Sequence, residues 1–145
     1  LITLCELFDD QSTDIATLVK PFPSDTPYEK LANPNCPKVV VDDNMHALYF
    51  SRSVIPYVRG IPEQGWASRH VYYKHIGLYA FKSHVLEKIT TLPQSTIEKA
   101  ESLEQLRWLS AGYEIKVGVT NVETIGIDSP DDLAAAELFL KQNSL

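Results

Sequence analysis

The stretch Tyr73-Lys74-His75-Ile76-Gly77-Leu78-Tyr79-Ala80-Phe81 alternates as a β-strand does, and its two faces differ in character. Because side chains alternate across a strand, one face is apolar and consists of Ile76, Leu78 and Ala80. The other face carries His75 and Tyr79, about 13 Å apart along a regular strand, with Gly77 leaving room between them. This face predicts a wall for a polar, sugar-sized ligand. The alternative is a solvent-facing His75 and a β-bulge at Gly77.

Composition predicts one globular domain over residues 1–145. The chain is 44% hydrophobic and has a formal charge of −6 without a basic cluster. Binding to nucleic acid or to an anionic membrane surface is therefore not expected, since phosphate contacts need concentrated positive charge. No stretch approaches the ~20 apolar residues of a membrane span. Cys5 and Cys36 are far apart in sequence, which favours buried thiols in a reducing compartment over a disulfide framework.

Predicted strands and helices interleave along the chain, with one β-hairpin among them. The strands are expected at 14–22, 38–41, 47–52, 73–81, 114–119 and 124–128. The helices are expected at 2–8, 28–32, 83–89, 102–111 and 130–142. This order indicates an α/β fold with a mixed sheet, in which the apolar strand 14–22 is central.

Asp128 is a candidate metal ligand because the helix that follows it is already capped. Ser129 takes the N-cap position, Pro130 the first helical position, and Asp132 follows three residues after the cap. The Asp128 carboxylate is then spare at the carboxyl end of a strand, where ligand crevices form in α/β sheets. A carboxylate there suits Mg²⁺. The alternative is a solvated acid that interacts with the helix dipole.

Glu104 and Gln105 have a structural interpretation that competes with a binding role. The sequence Ser102-Leu103-Glu104-Gln105 fits a capping box, in which the Gln105 side chain reaches back to the Ser102 backbone. Glu104 also suits the positive end of its helix. From the residues alone, we expect the structural interpretation.

Arg52 is predicted to share a strand face with Leu48, Phe50 and Val54. A guanidinium in an apolar row requires an anion, because an unpaired buried charge is costly. A substrate carboxylate or phosphate, or an acid of the protein itself, would serve equally.

Four blocks of sequence, taken together, match one enzyme family. They are Val39-Val40-Val41-Asp42 followed by 47–56, then Lys74 to Tyr79, Leu103 to Arg107 and Gly126 to Leu133. In this order and over nearly the whole chain they resemble 3-deoxy-manno-octulosonate (Kdo) cytidylyltransferases, also called CMP-Kdo synthetases. The resemblance covers the C-terminal half, or somewhat more, of such an enzyme.

The resemblance implies a three-layer, nucleotide-diphospho-sugar transferase-like fold. The N-terminal CTP-binding portion, with its phosphate loop and its Gln-Gly-Asp-Glu-Pro metal segment, is expected to be absent from this chain. The inserted hairpin and the long loop after it are expected to form a homodimer surface. A cytoplasmic enzyme of lipopolysaccharide synthesis is also implied.

The resemblance further implies roles for individual residues in a Mg²⁺-dependent reaction. The anomeric hydroxyl of Kdo would attack the α-phosphate of CTP, giving CMP-Kdo and diphosphate. Asp128 would bind the metal, and Arg52 would face the sugar acid or the phosphates. The sugar would be bound by His75, Tyr79, Glu104 and Gln105, which reverses the structural interpretation of the last two.

Two other functions remain open from the sequence. One is a related cytidylyltransferase for another acidic sugar, such as a sialic acid. The other is a non-catalytic dimerisation and sugar-binding half, which would be inactive alone.

Overall fold

The structure is a computed structural model that describes residues 1–122. The strands are β1 (Ile15–Pro21), β2 (Lys38–Val41), β3 (Ala47–Ser51), β4 (Tyr73–Phe81) and β5 (Ile115–Val119). The helices are α1 (Ile2–Glu6), α2 (Tyr28–Leu31), α3 (Trp66–Arg69), α4 (Ser83–Ile89), α5 (Thr96–Glu101) and α6 (Gln105–Ser110), with 3₁₀ turns at Leu7–Asp9 and Glu63–Gly65. Asp128, the strand predicted at 124–128 and the helix predicted at 130–142 lie outside the described residues. Of the helices in residues 1–122, none has the length and apolar character that crossing a membrane requires.

The five strands form one mixed sheet in the order β3-β2-β4-β1-β5. Strand β1 runs antiparallel to β4 and parallel to β5, and its first five residues are all buried. A strand with a neighbour on each side and helices above and below must be apolar on both faces. The predicted α/β fold with a mixed sheet is confirmed.

Alternation along β1 separates two apolar layers. Ile15 and Val19 belong to the main core, together with residues of α4 and α6 such as Val85 and Leu106. Ala16 and Leu18 face the other way and pack against α1 in a second cluster, which consists of Leu4, Ala16, Leu18 and Ile76. The sheet is therefore covered on both faces, which gives three layers.

Strands β2 and β3 form the predicted hairpin. They pair antiparallel, with a register shift between Val40 and Val41. The Asp42 carboxylate closes the turn by accepting hydrogen bonds from the backbone N–H groups of Asn44 (2.9 Å) and His46 (2.8 Å). Asp and Asn stabilise turns through local bonds of this kind.

A bulge interrupts β4. Tyr79 pairs with Thr17 of β1, whereas Ile76 pairs with the adjacent Leu18, so Gly77 and Leu78 have no partners in that ladder. Two extra residues preserve the alternation of faces, because the side-chain period of a strand is two. The bulge expected as the alternative interpretation of Gly77 is present. Leu78, which we predicted on the apolar face, is 38% exposed instead.

The helix predicted over 102–111 is shorter than expected, and a helix that was not predicted, α5, precedes it. Helix α5 ends at Glu101, and Ser102 takes a left-handed conformation with φ +52° as its C-cap. Helix α6 begins only at Gln105. At its other end, the predicted stop at Gly112 is confirmed: the residue has φ +85°, a conformation that favours glycine.

Candidate functional site

A cavity of about 310 Å³ opens between the second half of β4, α4 and the start of α6. Its lining residues are Tyr79, Phe81, Leu86, Ile89, Thr90, Glu104, Gln105 and Trp108. Most of the wall is apolar or aromatic, with a few polar groups among them. Small-molecule sites commonly have this composition, and the volume is at the lower end of their range.

Tyr79 lines this cavity and has a buried hydroxyl group. The Tyr79 ring makes an edge contact with Trp108 (5.0 Å between centroids) and stacks near Phe81 (5.9 Å). The hydroxyl oxygen is buried and has no hydrogen-bond partner among the described residues. Burial, and to a lesser extent the nearby Glu104 charge, raises the pKa of Tyr79 well above its usual value. The Tyr79 hydroxyl is therefore neutral and can both donate and accept a hydrogen bond.

Gln105 supplies a second buried polar group to the same cavity. Its side chain is 5% exposed, and its Nε2 atom has no hydrogen-bond partner among residues 1–122. The predicted capping box with Ser102 does not form: α6 begins with Glu104 as N-cap and lacks a side-chain cap bond. Ser102 instead ends α5 in a left-handed conformation. The capping-box interpretation of Gln105 is therefore wrong.

Glu104 places a carboxylate at the rim of the cavity. Its side chain is 65% exposed, and Oε1 lies 3.6 Å from Nη2 of Arg107. Such an exposed pair contributes little to stability. The Glu104 carboxylate can therefore accept hydrogen bonds from hydroxyl groups of a bound molecule.

A clamp between α5 and α6, which joins Glu98 to Arg107, was not predicted from the sequence. Ser95 and Glu98 form a capping box at the start of α5. The same Glu98 carboxylate accepts two hydrogen bonds from Arg107 of α6, at 2.9 Å from Nε and 2.6 Å from Nη2. This paired geometry holds α6, and with it Gln105, in a defined orientation. The spacing Ser95-x-x-Glu98 was a detectable signal for the start of α5.

His75 lies behind Tyr79 and does not line the cavity. It is 9% exposed, so the solvent-facing alternative is wrong. Its ring lies 5.3 Å from that of Tyr79 and 5.1 Å from that of Phe50, and its Nε2 is 3.0 Å from Oγ1 of Thr17. Burial lowers the pKa of His75 to about 4, so the imidazole is neutral near pH 7.

The open gap expected between His75 and Tyr79 does not exist. Because of the bulge, these residues pair with Val19 and Thr17, which are only two positions apart on β1. Two positions span about 7 Å instead of 13 Å, so the two rings contact each other. A ligand would thus reach Tyr79 from the cavity and would not enter between the two side chains.

Arg52 lies away from this cavity, directly after β3. Its guanidinium donates to the backbone carbonyls of Glu101 (2.6 Å), Pro34 (2.8 Å) and Ser102 (3.2 Å). Leu48, predicted in the same apolar row, is 59% exposed. The row is thus interrupted, and carbonyl oxygens take the place of the anion that we expected.

The described residues do not themselves form a metal site. Within residues 1–122, no three His, Cys, Asp or Glu side chains converge in a way that could hold an ion. Asp128, the predicted ligand, lies outside that range. Its role as a metal ligand therefore stays a prediction.

Comparison with known proteins gives one family. A sequence model described as Cytidylyltransferase matches residues 3–117. A 3-deoxy-manno-octulosonate cytidylyltransferase from Phocaeicola vulgatus is 64% identical over 135 residues, covering 93% of this chain and 54% of the relative. One from Bacteroides thetaiotaomicron is 61% identical over 137 residues, covering 94% and 55%.

A solved structure also matches the chain. It is a CMP:2-keto-3-deoxy-manno-octonic acid synthetase complexed with CTP, with a TM-score of 0.83 and 38% sequence identity. The alignment covers 97% of this chain and 54% of that one. The chain thus spans about half the length of the curated relatives and of the structure that it matches.

Proposed function

Because the chain belongs to the cytidylyltransferase family, we propose that it is the sugar-binding part of an enzyme that joins Kdo to CTP. The products are CMP-Kdo and diphosphate. The names of relatives at 57–64% identity support this substrate pair, as does the CTP complex of the structural neighbour. Since the chain spans about half of those proteins, we assign the reaction to the full-length enzyme and only sugar binding to this part.

One observation carries the assignment of the sugar site. The Tyr79 hydroxyl and the Gln105 Nε2 atom are both buried and unpartnered among the described residues, and both residues line one cavity. Native proteins rarely leave buried polar groups unpaired, so such groups at a cavity suggest a polar ligand. A sugar acid has hydroxyl groups for Tyr79, Gln105 and Glu104, and a C–H face for the Trp108 ring.

In the proposed reaction these residues bind and orient the sugar. The anomeric oxygen of Kdo forms a bond to the α-phosphorus of CTP as the bond to the diphosphate oxygen breaks. Fixing the sugar ring by several side chains lowers the entropic cost of this in-line attack. Mg²⁺, when bound, would neutralise charge on the phosphates, and the Asp128 carboxylate is our proposed ligand from the family resemblance. His75 supports the Tyr79 ring from behind, and Arg52 is left out of the sugar site.

We also propose a homodimer formed by the β2–β3 hairpin and the loop after it. Leu48 of the hairpin is 59% exposed and Tyr57 of the loop is 73% exposed. Large apolar side chains at such positions are enriched in protein interfaces. The molecular mass of the full-length protein in solution tests this proposal, and a monomer over the micromolar range would contradict it.

A cytoplasmic location remains part of the proposal. The expectation of two buried thiols is wrong, because Cys5 is exposed and Cys36 is half-buried. The two cysteines form no disulfide, which fits a reducing compartment. Fractionation of cells that produce the protein would test the location, and recovery from the periplasm would contradict it.

Kinetics of the full-length enzyme test the sugar site. Tyr79→Phe removes a hydroxyl group, and Gln105→Leu removes an Nε2 group, that have no hydrogen-bond partner among the described residues, so we expect both variants to remain folded. The KM for Kdo should rise about tenfold in each, the usual effect of losing one buried hydrogen bond to a ligand, while the KM for CTP stays within about twofold.

Tyr57→Phe serves as the matched control, since it removes the hydroxyl of an exposed tyrosine that is not part of the cavity lining. It should leave both KM values unchanged. An unaltered KM for Kdo in Tyr79→Phe and Gln105→Leu would refute the site. Faster CMP-sugar formation with a sialic acid than with Kdo would favour the other acidic-sugar function.

A further inference from the structure

Thr17 places a hydroxyl group in the middle of the sheet, where apolar side chains would be expected. The residue is completely buried, at 0% exposure, in the central strand β1. It stands opposite Tyr79, at the position where the β1–β4 register shifts. A buried hydroxyl among apolar neighbours is costly unless it is hydrogen-bonded, so its bonds indicate its role.

The Thr17 hydroxyl connects the bulge to His75. Oγ1 lies 2.9 Å from the Leu78 carbonyl oxygen, 3.3 Å from that of Ile76, and 3.0 Å from Nε2 of His75. A hydroxyl has a single proton, and carbonyl oxygens only accept. The proton therefore goes to the bulge carbonyls, and His75 must donate from Nε2. This assigns the neutral Nε2–H tautomer to His75.

The bulge itself does not depend on Gly77. A Cβ atom added at Gly77 would meet nothing within 4 Å, and the residue does not have the positive φ that favours glycine. The glycine thus provides neither a close approach nor a conformation that other residues avoid. The side chain that bonds to the bulge carbonyls is Thr17.

We propose that Thr17 is a positioning residue for the sugar site: its hydroxyl fixes the β4 bulge and the orientation of His75, and these two together place the Tyr79 hydroxyl in the cavity. The proposal rests on the proposed function, because it assigns Tyr79 to the sugar. Without the bulge, His75 and Tyr79 would be about 13 Å apart, and the His75 ring would not support Tyr79. Thr17 touches no part of the cavity itself.

Three variants of the full-length enzyme test the proposal. Thr17→Val keeps the shape of the side chain and removes the hydroxyl, whereas Thr17→Ser keeps the hydroxyl. Gly77→Ala adds a methyl group within the bulge and leaves the hydrogen bonds between Thr17 and the bulge carbonyls in place. We expect Thr17→Val to raise the KM for Kdo by about tenfold, with the KM for CTP within about twofold. Thr17→Ser and Gly77→Ala should stay close to wild type.

A double-mutant cycle separates positioning from a general loss of structure. In the Tyr79→Phe background, Thr17→Val should have little further effect on the KM for Kdo, because the hydroxyl that it positions is gone. If the KM for Kdo is unchanged in Thr17→Val but raised in Tyr79→Phe, the role of Thr17 is wrong and the sugar site stands. An unchanged KM in both variants overturns the sugar site as well.

A measurement on the wild-type enzyme keeps the proposal testable if Thr17→Val does not fold. ¹⁵N NMR of histidine-labelled protein at pH 7 should show a neutral Nε2–H tautomer for His75, with its signal identified by loss in His75→Gln. A Nδ1–H tautomer would mean that Nε2 cannot donate to Thr17, and the inference would be wrong.

Discussion

Tyr79 and Gln105 carry the two buried polar groups on which the proposed sugar site depends. Each has a buried polar atom without a partner among the described residues, at a typical cost of about 1–3 kcal/mol per group. The sequence did not reveal that the Gln105 amide is unpaired, because a capping box with Ser102 offered it a hydrogen-bond partner nearby in sequence. In the structure this capping box does not form, because α5 ends at Glu101 and Ser102 is its C-cap.

His75 gives a pH dependence to folding that can be measured. Its pKa is lowered by burial from 6.5 to about 4, so between these values the unfolded chain binds a proton that the folded protein does not. Stability therefore falls as the pH falls from 6.5 to 4, by about 3 kcal/mol at 1.36 kcal/mol per pKa unit. Above pH 6.5 the residue makes no contribution to the slope. Tyr79, the titratable group in contact with it, stays protonated throughout because its pKa is raised.

Urea unfolding of wild type and His75→Gln at pH 7.0, 5.5 and 4.5 measures this effect. Glutamine does not titrate, and its amide can still donate to Thr17. As the pH decreases, the free energy of unfolding of the wild type should fall relative to that of His75→Gln. A difference that is constant over this range would show that His75 is not buried as a neutral imidazole.

At the scale of secondary-structure elements, strong local patterns were predictable and tertiary effects were not. The apolar strand at β1 and the hairpin around Asp42 were both predicted, because residues adjacent in sequence determine them. The bulge in β4 was left open between two interpretations, since its carbonyl groups bond to Thr17, 60 residues away from Gly77 in sequence. Helix α5 was missed although its capping box is local, because Ser102 offered a second cap signal nearby.

The clamp between α5 and α6 should control both stability and the sugar site. Glu98→Gln removes the charge of a buried carboxylate that is bonded to Arg107 and leaves that guanidinium, 15% exposed, without its hydrogen-bonded anion. Removing one member of such a pair is strongly destabilising, and we expect Tm to fall by about 5 °C or more. Because α6 carries Gln105, the KM for Kdo should rise as well.

Glu104→Gln is the matched control for stability. Its carboxylate is 65% exposed and lies 3.6 Å from the same Arg107, so its charge contributes little to folding. Tm should change by less than about 2 °C. Equal shifts of Tm in Glu98→Gln and Glu104→Gln, measured by calorimetry, would show that the Glu98–Arg107 clamp has no special role.

For the molecule as a whole, the sequence indicated the fold class and the family better than it indicated the individual site residues. Interleaved strands and helices predicted the mixed α/β sheet, which is confirmed, and the four sequence blocks pointed to the family that the comparisons give. Of the four predicted sugar-binding residues, three line one cavity, and His75 lies behind it. Arg52 bonds to backbone carbonyls elsewhere, which no linear pattern could reveal.

The central claim is that the cavity beside Tyr79 and Gln105 is the Kdo site. A crystal structure of the full-length enzyme with bound Kdo measures this directly. We expect the sugar against Trp108, with the Tyr79 hydroxyl and the Gln105 Nε2 atom each within about 3.2 Å of a sugar oxygen. Kdo bound elsewhere, with both of these atoms still unpaired, would contradict the account.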